Sequence, residues 1–190
     1  MSIRKISPKY EAHKLDPGGP DDRIDVYEDR VRGWLIDCGY ILNSHEHAGF
    51  GVLQIGLAYF EGFTIFFRGE DSRNRSAQFF REGFEVTFAE VRSFSAPIRA
   101  AFVDVMYSDG RNGLFHFGMV RRRIVLSDGR PVFRIAMDTS GQSIETIFVD
   151  RYGFIEQIAQ HHSGYVARLR DTAEVQLRRN FEQAWVLLHQ

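Results

Sequence analysis

The sequence predicts a mainly α-helical protein, an up-and-down bundle of four to five long helices carrying a small inserted β-hairpin. Three observations lead there. Apolar residues recur at three- and four-residue spacing over most of the chain. One run, Phe50 to Phe67, is apolar on nearly every helical face, the pattern of a buried helix. The period changes only near residues 122–137, where two short β-branched stretches flank Asp128-Gly129, the dipeptide of a tight hairpin turn. A chain of 190 residues with 44% apolar content and 17 Phe can build one substantial core.

Residues 1–20 are polar and include Pro17-Gly18-Gly19-Pro20, so they read as a flexible N-terminal tail, with a single domain over 21–190. Asp21 or Asp22 then caps a first helix whose Tyr27, Val31, Trp34, Leu35, Cys38 and Leu42 share a face, ending at Asn43-Ser44. In the Phe50–Phe67 run, Gly49, Gly51, Gly56 and Gly62 weaken an isolated helix but let neighbours approach closely. A buried strand pair is the alternative there, although no turn signal divides the run. Asp71 or Ser72 is the expected cap of a third helix bearing Phe79, Phe80, Phe84 and Phe88. Ser95, with Pro97 in the first turn, opens a fourth that Asp109-Gly110 is expected to stop.

Arg123–Leu126 and Val132–Ile135 then form the predicted hairpin, and Ile144–Val149 adds a third strand or an extended lead-in. Asp150 caps the last long helix, which carries Phe154, Ile155, Ile158, His162, Tyr165, Val166 and Leu169 on one face. The pattern resumes through Leu177, Phe181, Trp185 and Leu188 after an interruption near Asp171-Thr172.

A net charge of −1 gives no overall basic footprint of the kind a dedicated duplex-DNA binder carries. The lone Cys38 excludes an internal disulfide and a cysteine-rich zinc site, and it fits a reducing cytoplasm. The N-terminus lacks a signal-peptide h-region. The richest apolar run is broken by Glu61, Arg68 and several glycines, so no membrane span is expected. His45-Glu46-His47 and His161-His162 lack the spacing of a metal site, and no phosphate-binding glycine loop or serine-centred elbow appears, so no cofactor or metal is expected.

The chemistry is concentrated in Ser108-Asp109-Gly110-Arg111-Asn112-Gly113-Leu114-Phe115-His116. If Asn112 begins a helix, Arg111 and His116 lie a little over one turn apart and can face one cleft. An arginine is always charged and suits a phosphate, and a histidine titrates near neutrality and moves protons. Glu61, in the helix read as most buried, needs a partner, and Arg111 is a candidate. The same residues also read as a surface ion pair and a histidine packed on Phe115 or Phe117.

Arg111-Asn112-Gly113-Leu114-Phe115-His116 resembles the signature of the HEPN superfamily: an arginine, often an Asn, Asp or His next, then a histidine four to six residues after the arginine. The resemblance implies a bundle of about four helices with this motif at the start of a late helix. It also implies a metal-independent endoribonuclease, acting in many members as a toxin or phage-defence effector, in which Arg111 contacts the scissile phosphate, His116 transfers protons and Asn112 positions one of them. It further implies a homodimer with facing motifs, an RNA substrate, and an antitoxin or defence partner. Arg121-Arg122-Arg123 would add local positive charge for an RNA backbone, or would simply be a solvated strand entry. The hairpin is not part of the minimal four-helix core, and Leu114 stands where one toxin subgroup has a tyrosine. The superfamily also has non-catalytic members, so a binding or assembly protein organised by Arg111 and His116 is the second reading.

Overall fold

The computed structural model describes residues 5–121 and 123–189. The protein is mainly helical with a small three-stranded sheet. Helix α1 (Pro20–Val31) passes through a wide π turn at Arg32–Ile36 into α2 (Asp37–Asn43), so the predicted first helix is one rod with a single extra residue wound into it. Its cap is Gly19, not Asp21 or Asp22. Pro20 occupies the first helical position, and the Asp22 carboxylate reaches back to accept from the Gly19 N–H at 2.8 Å.

The predicted flexible tail is, from Lys5 onward, seated on this rod. Ser7 is fully buried, the Lys9 N–H donates to Asp29 Oδ2 at 2.7 Å, and Arg30 Nε donates to the Ile6 carbonyl at 2.7 Å. Ile6, Tyr10 and Leu15 pack on the core. The composition of the segment is polar, but its anchors are supplied by α1, which a local reading does not weigh.

The Phe50–Phe67 run is helical, which removes the strand-pair alternative. It forms α3 (Gly49–Leu57) and α4 (Tyr59–Arg68), meeting at Ala58. Glu46–Arg68, a helical stretch of 23 residues, is long and apolar enough to cross a membrane, contrary to the expectation that its charges and glycines break it. Half of its apolar window is buried inside the protein. Helix α5 (Ser76–Thr87) starts after Arg75, not at Asp71 or Ser72. It lies so close to α4 that a Cβ on Gly83 would sit 2.3 Å from the Phe60 carbonyl oxygen. Glycine is the residue that lets these two backbones touch.

Helix α6 (Ala96–Val105) begins after Ser95 with Pro97 in its first turn, as predicted. It does not stop at Asp109-Gly110. A π turn over Met106–Arg111 carries the helical path into α7 (Asn112–Phe117), and the stop comes at Gly118, whose φ is +69°. Leu57 and Ile124 close over Gly110, so the expected breaker is held inside the helix by packing.

Strands β1 (Ile124–Ser127), β2 (Phe133–Met137) and β3 (Ile144–Asp150) form the sheet in the order β1-β3-β2. The predicted β1–β2 hairpin is therefore incorrect: β3 lies between them, antiparallel to β2 and parallel to β1. Asp128-Gly129 joins two strands that do not pair. The physical reason is burial. Ile147 and Val149 are fully buried, so the most apolar strand takes the centre. Asp150 caps α8 (Arg151–Arg170) as predicted, accepting from the Tyr152 and Gly153 N–H groups, and α9 (Val175–His189) follows the interruption at Asp171-Thr172.

Phenylalanines dominate the core. Phe60, Phe84, Phe88, Phe102 and Phe154 are each fully buried, and with Phe133 they meet mostly edge-on or tilted at centroid distances of 4.8 to 6.2 Å. These are the separations at which aromatic pairs attract beyond simple area burial.

Candidate functional site

The π turn and α7 together position the predicted motif. Asp109, at the turn, is buried at 4% exposure. Its carboxylate takes Arg123 Nε at 2.7 Å, its carbonyl takes the Arg121 N–H at 3.1 Å, and Ser108 Oγ donates to it at 3.0 Å. These contacts fold the segment after Gly118 back over the turn and fix where α7 begins. Asp109 is a positioning residue that the sequence reading took for part of a helix stop. Its partner lies 14 residues on, so no local signal marks it. Arg121 and Arg123 both face the surface around α7, and Arg122 lies outside the described residues.

Arg111 is held by its surroundings without being closed off. Its Nη2 donates to Glu61 Oε2 at 3.3 Å and its Nη1 to Asn112 Oδ1 at 3.0 Å. The guanidinium lies over the Tyr107 ring at 5.7 Å and the Phe115 ring at 5.4 Å, four residues either side on the same helical face. The side chain remains 29% exposed. Among the described residues two of its five N–H donors are engaged, so a guanidinium fixed in orientation still has donors to offer an anion. Glu61 is the partner predicted for Arg111, and it is itself steadied by Ser72 Oγ, which donates to its other oxygen at 2.8 Å. Gln54, Ile55, Ala58, Glu61, Arg111 and Phe115 line a cleft of about 400 Å³ between α3, α4 and α7.

His116 is not in that cleft. It is exposed at the far end of α7, with its ring edge-on to Phe115 at 5.1 Å and near Phe117 at 6.4 Å. The expectation that Arg111 and His116 face one cleft is corrected within a single chain. Five helical steps turn a side chain by roughly 140° from its starting direction and carry it about 7.5 Å along the axis. Arg111 and Phe115 share a face; Arg111 and His116 do not. Asn112 does stand beside Arg111 and orients it directly.

The region beyond His116 is open and apolar. Phe115, Phe117 and Met119 are 69%, 60% and 65% exposed. Phe117, Met119, Val120, Arg121 and Arg123 border a second cleft of about 910 Å³ with Asp109 at its base, and the Arg121 guanidinium lies over the Phe117 ring at 5.4 Å. Exposed aromatic rings with arginines over their faces are an unusual surface for a protein that has buried most of its phenylalanines.

The other histidine pair is structural. His162 is buried among Tyr27 and Tyr59 at 1% exposure, the core position predicted for it. His161 is hydrogen-bonded through Nδ1 to the Tyr59 hydroxyl at 2.9 Å and stands edge-on to Phe63. Loss of water around each ring disfavours the charged form and pushes both imidazoles down to about 4.

Against this geometry, no family model matches the chain, and neither the curated proteins nor the solved structures contain a match to it.

Proposed function

We propose that the protein is a metal-independent endoribonuclease of HEPN type, acting as a homodimer. The observation that carries this reading is Arg111: a guanidinium oriented by Glu61, Asn112 and two rings, at the mouth of a cleft, with donors unspent. The reaction needs little else. The RNA 2′-OH attacks the adjacent phosphorus, the P–O bond to the 5′ oxygen of the next nucleotide breaks, and a 2′,3′-cyclic phosphate and a free 5′-OH result. One group takes the 2′ proton, another returns a proton to the leaving oxygen, and a fixed cation stabilises the charge that builds on the phosphoryl oxygens.

In this reading Arg111 is the cation and His116 the proton carrier. Because the two diverge on one α7, a phosphate touched by both takes Arg111 from one chain and His116 from the other, with the two α7 helices facing across a two-fold axis. The arrangement suits a cytoplasmic toxin or defence effector held in check by a partner. The same divergence also favours a second reading, a binding or assembly protein of this type in which Arg111 and His116 act without cleavage.

The deciding experiment incubates wild type, Arg111→Ala and His116→Ala with an end-labelled mixed-sequence RNA in EDTA. The expected result is cleavage by wild type to cyclic-phosphate ends, and a loss of about 100-fold or more in each variant. A folded wild-type dimer that leaves the RNA intact, or variants that cut as well as wild type, would overturn the nuclease reading.

A further inference from the structure

Phe115 and Phe117 flank His116 on the exposed end of α7, each more than half open to solvent. Two helical steps separate them by roughly 200°, so their rings leave α7 on opposite sides with His116 between. Phe115 borders the cleft that holds Arg111, and Phe117 the cleft bordered by Arg121 and Arg123. Each ring has a guanidinium over it, Arg111 for Phe115 and Arg121 for Phe117, both at 5.4 Å from the centroid. An exposed phenylalanine is costly to keep in water, and an arginine over it adds positive charge at the same place. Flat apolar faces alternating with fixed cations match the chemistry of an unpaired nucleic-acid strand, whose bases stack and whose phosphates repeat between them.

We infer that Phe115 and Phe117 are base-stacking platforms that splay two consecutive unpaired nucleotides apart, one base on each side of α7, and set the phosphate between them at His116. The inference rests on the reading of the protein as an RNA-binding nuclease and adds to it how an unpaired strand is held, at one dinucleotide step. A duplex cannot meet this geometry, because its bases are already stacked on their neighbours and paired across the helix. Arg121 and Arg123 lie where the strand would continue, so the binding should weaken steeply with salt. Met119, the third exposed apolar residue, extends the Phe117 side of the platform.

The test uses the full chain and a fluorescent 12-nucleotide 2′-O-methyl RNA, which has no free 2′-OH and cannot be cut, so binding is read apart from cleavage. Anisotropy is measured with the single strand and with the same sequence as a duplex, for wild type, Phe115→Ala, Phe117→Ala and Phe115→Leu. Light scattering gives the mass of each protein. The expected result is at least tenfold preference for the single strand and about a tenfold loss of affinity in each alanine variant at unchanged mass. Phe115→Leu, apolar but not planar, should bind as poorly as Phe115→Ala. Equal affinity for strand and duplex, full affinity in the alanine variants, or full rescue by leucine would overturn the platform. So would alanine variants that fall apart into monomers, since the rings would then belong to a contact between copies. Platform and nuclease readings fail separately: phenylalanine-dependent binding by a protein that cuts no RNA sustains the first and ends the second.

Discussion

Two sets of phenylalanines divide this molecule. Around α4, α5 and α8, Phe60, Phe84, Phe88 and Phe154 are fully buried and touch one another. On α7, Phe115 and Phe117 stand more than half exposed and touch arginines. The residue type is the same and the physics is opposite. In the first set the rings exclude water from each other and hold helices together. In the second they keep their faces available. The difference shows that aromatic content by itself does not report a core; what surrounds each ring does.

The sharpest way to break the comparison is to truncate one ring from each set. Phe84→Ala leaves a cavity among Phe60, Phe88, Phe102 and Phe133 and should lower stability by about 3–5 kcal/mol, measured by urea unfolding. Phe117→Ala should stay within about 0.5 kcal/mol of wild type in the same measurement. A large loss for Phe117→Ala would mean that its exposure is only apparent.

The next largest effect concerns the buried histidine of the core. His162 is neutral in the fold, with its proton affinity pushed down to about 4 by burial. Below pH 6.5 the unfolded chain takes up the proton first, so the stabilisation is fully present above that pH and is lost progressively as pH falls toward 4. At about 1.4 kcal/mol per unit, the loss due to His162 approaches about 3 kcal/mol. The stability gap between wild type and His162→Phe should therefore narrow across this window.

Smaller effects sharpen the picture further. Asp150→Ala removes the side-chain cap of α8, two backbone hydrogen bonds in all, and should cost about 1 kcal/mol by thermal melting. Arg111→Ala breaks an ion pair whose partners are 29% and 19% exposed, and should cost less than about 1 kcal/mol. A loss of RNA cleavage in that variant would then be chemical, not a failure to fold.

Much of the core was legible because its signals are local. Asp150 followed by a helical apolar stripe gave α8 and its cap correctly, and the Phe50–Phe67 run gave a buried helical stretch. The pairing of Glu61 with Arg111 was also readable, since a carboxylate on an apolar helix calls for a cation. The errors share a cause. Asp128-Gly129 between two short strands looks like a hairpin, yet the strand that pairs with both comes later and wins by being more apolar. Asp109-Gly110 looks like a stop, yet Arg123 and the packing of Leu57 and Ile124 carry the helical path through it. The divergence of Arg111 and His116 has a separate source, since five steps along one helix turn the second side chain by about 140° from the first. The exposure of Phe115 and Phe117 was not legible, because two apolar residues on opposite sides of a short helix carry no local mark of which side meets solvent.

The order of the sheet has a consequence for how the molecule comes together. β2 and β3 pair across a short connection, with Met137 opposite Ile144, whereas Ile124 of β1 waits for Ile147, 23 positions further along the chain. Short loops close faster than long ones, so the β2–β3 ribbon should zip first and β1 should dock onto its finished edge. The Arg123 clasp on Asp109 leads directly into β1. The turn that aims Arg111 therefore acquires its final rigidity late in folding, and amide exchange should find β1 opening before the ribbon that templates it.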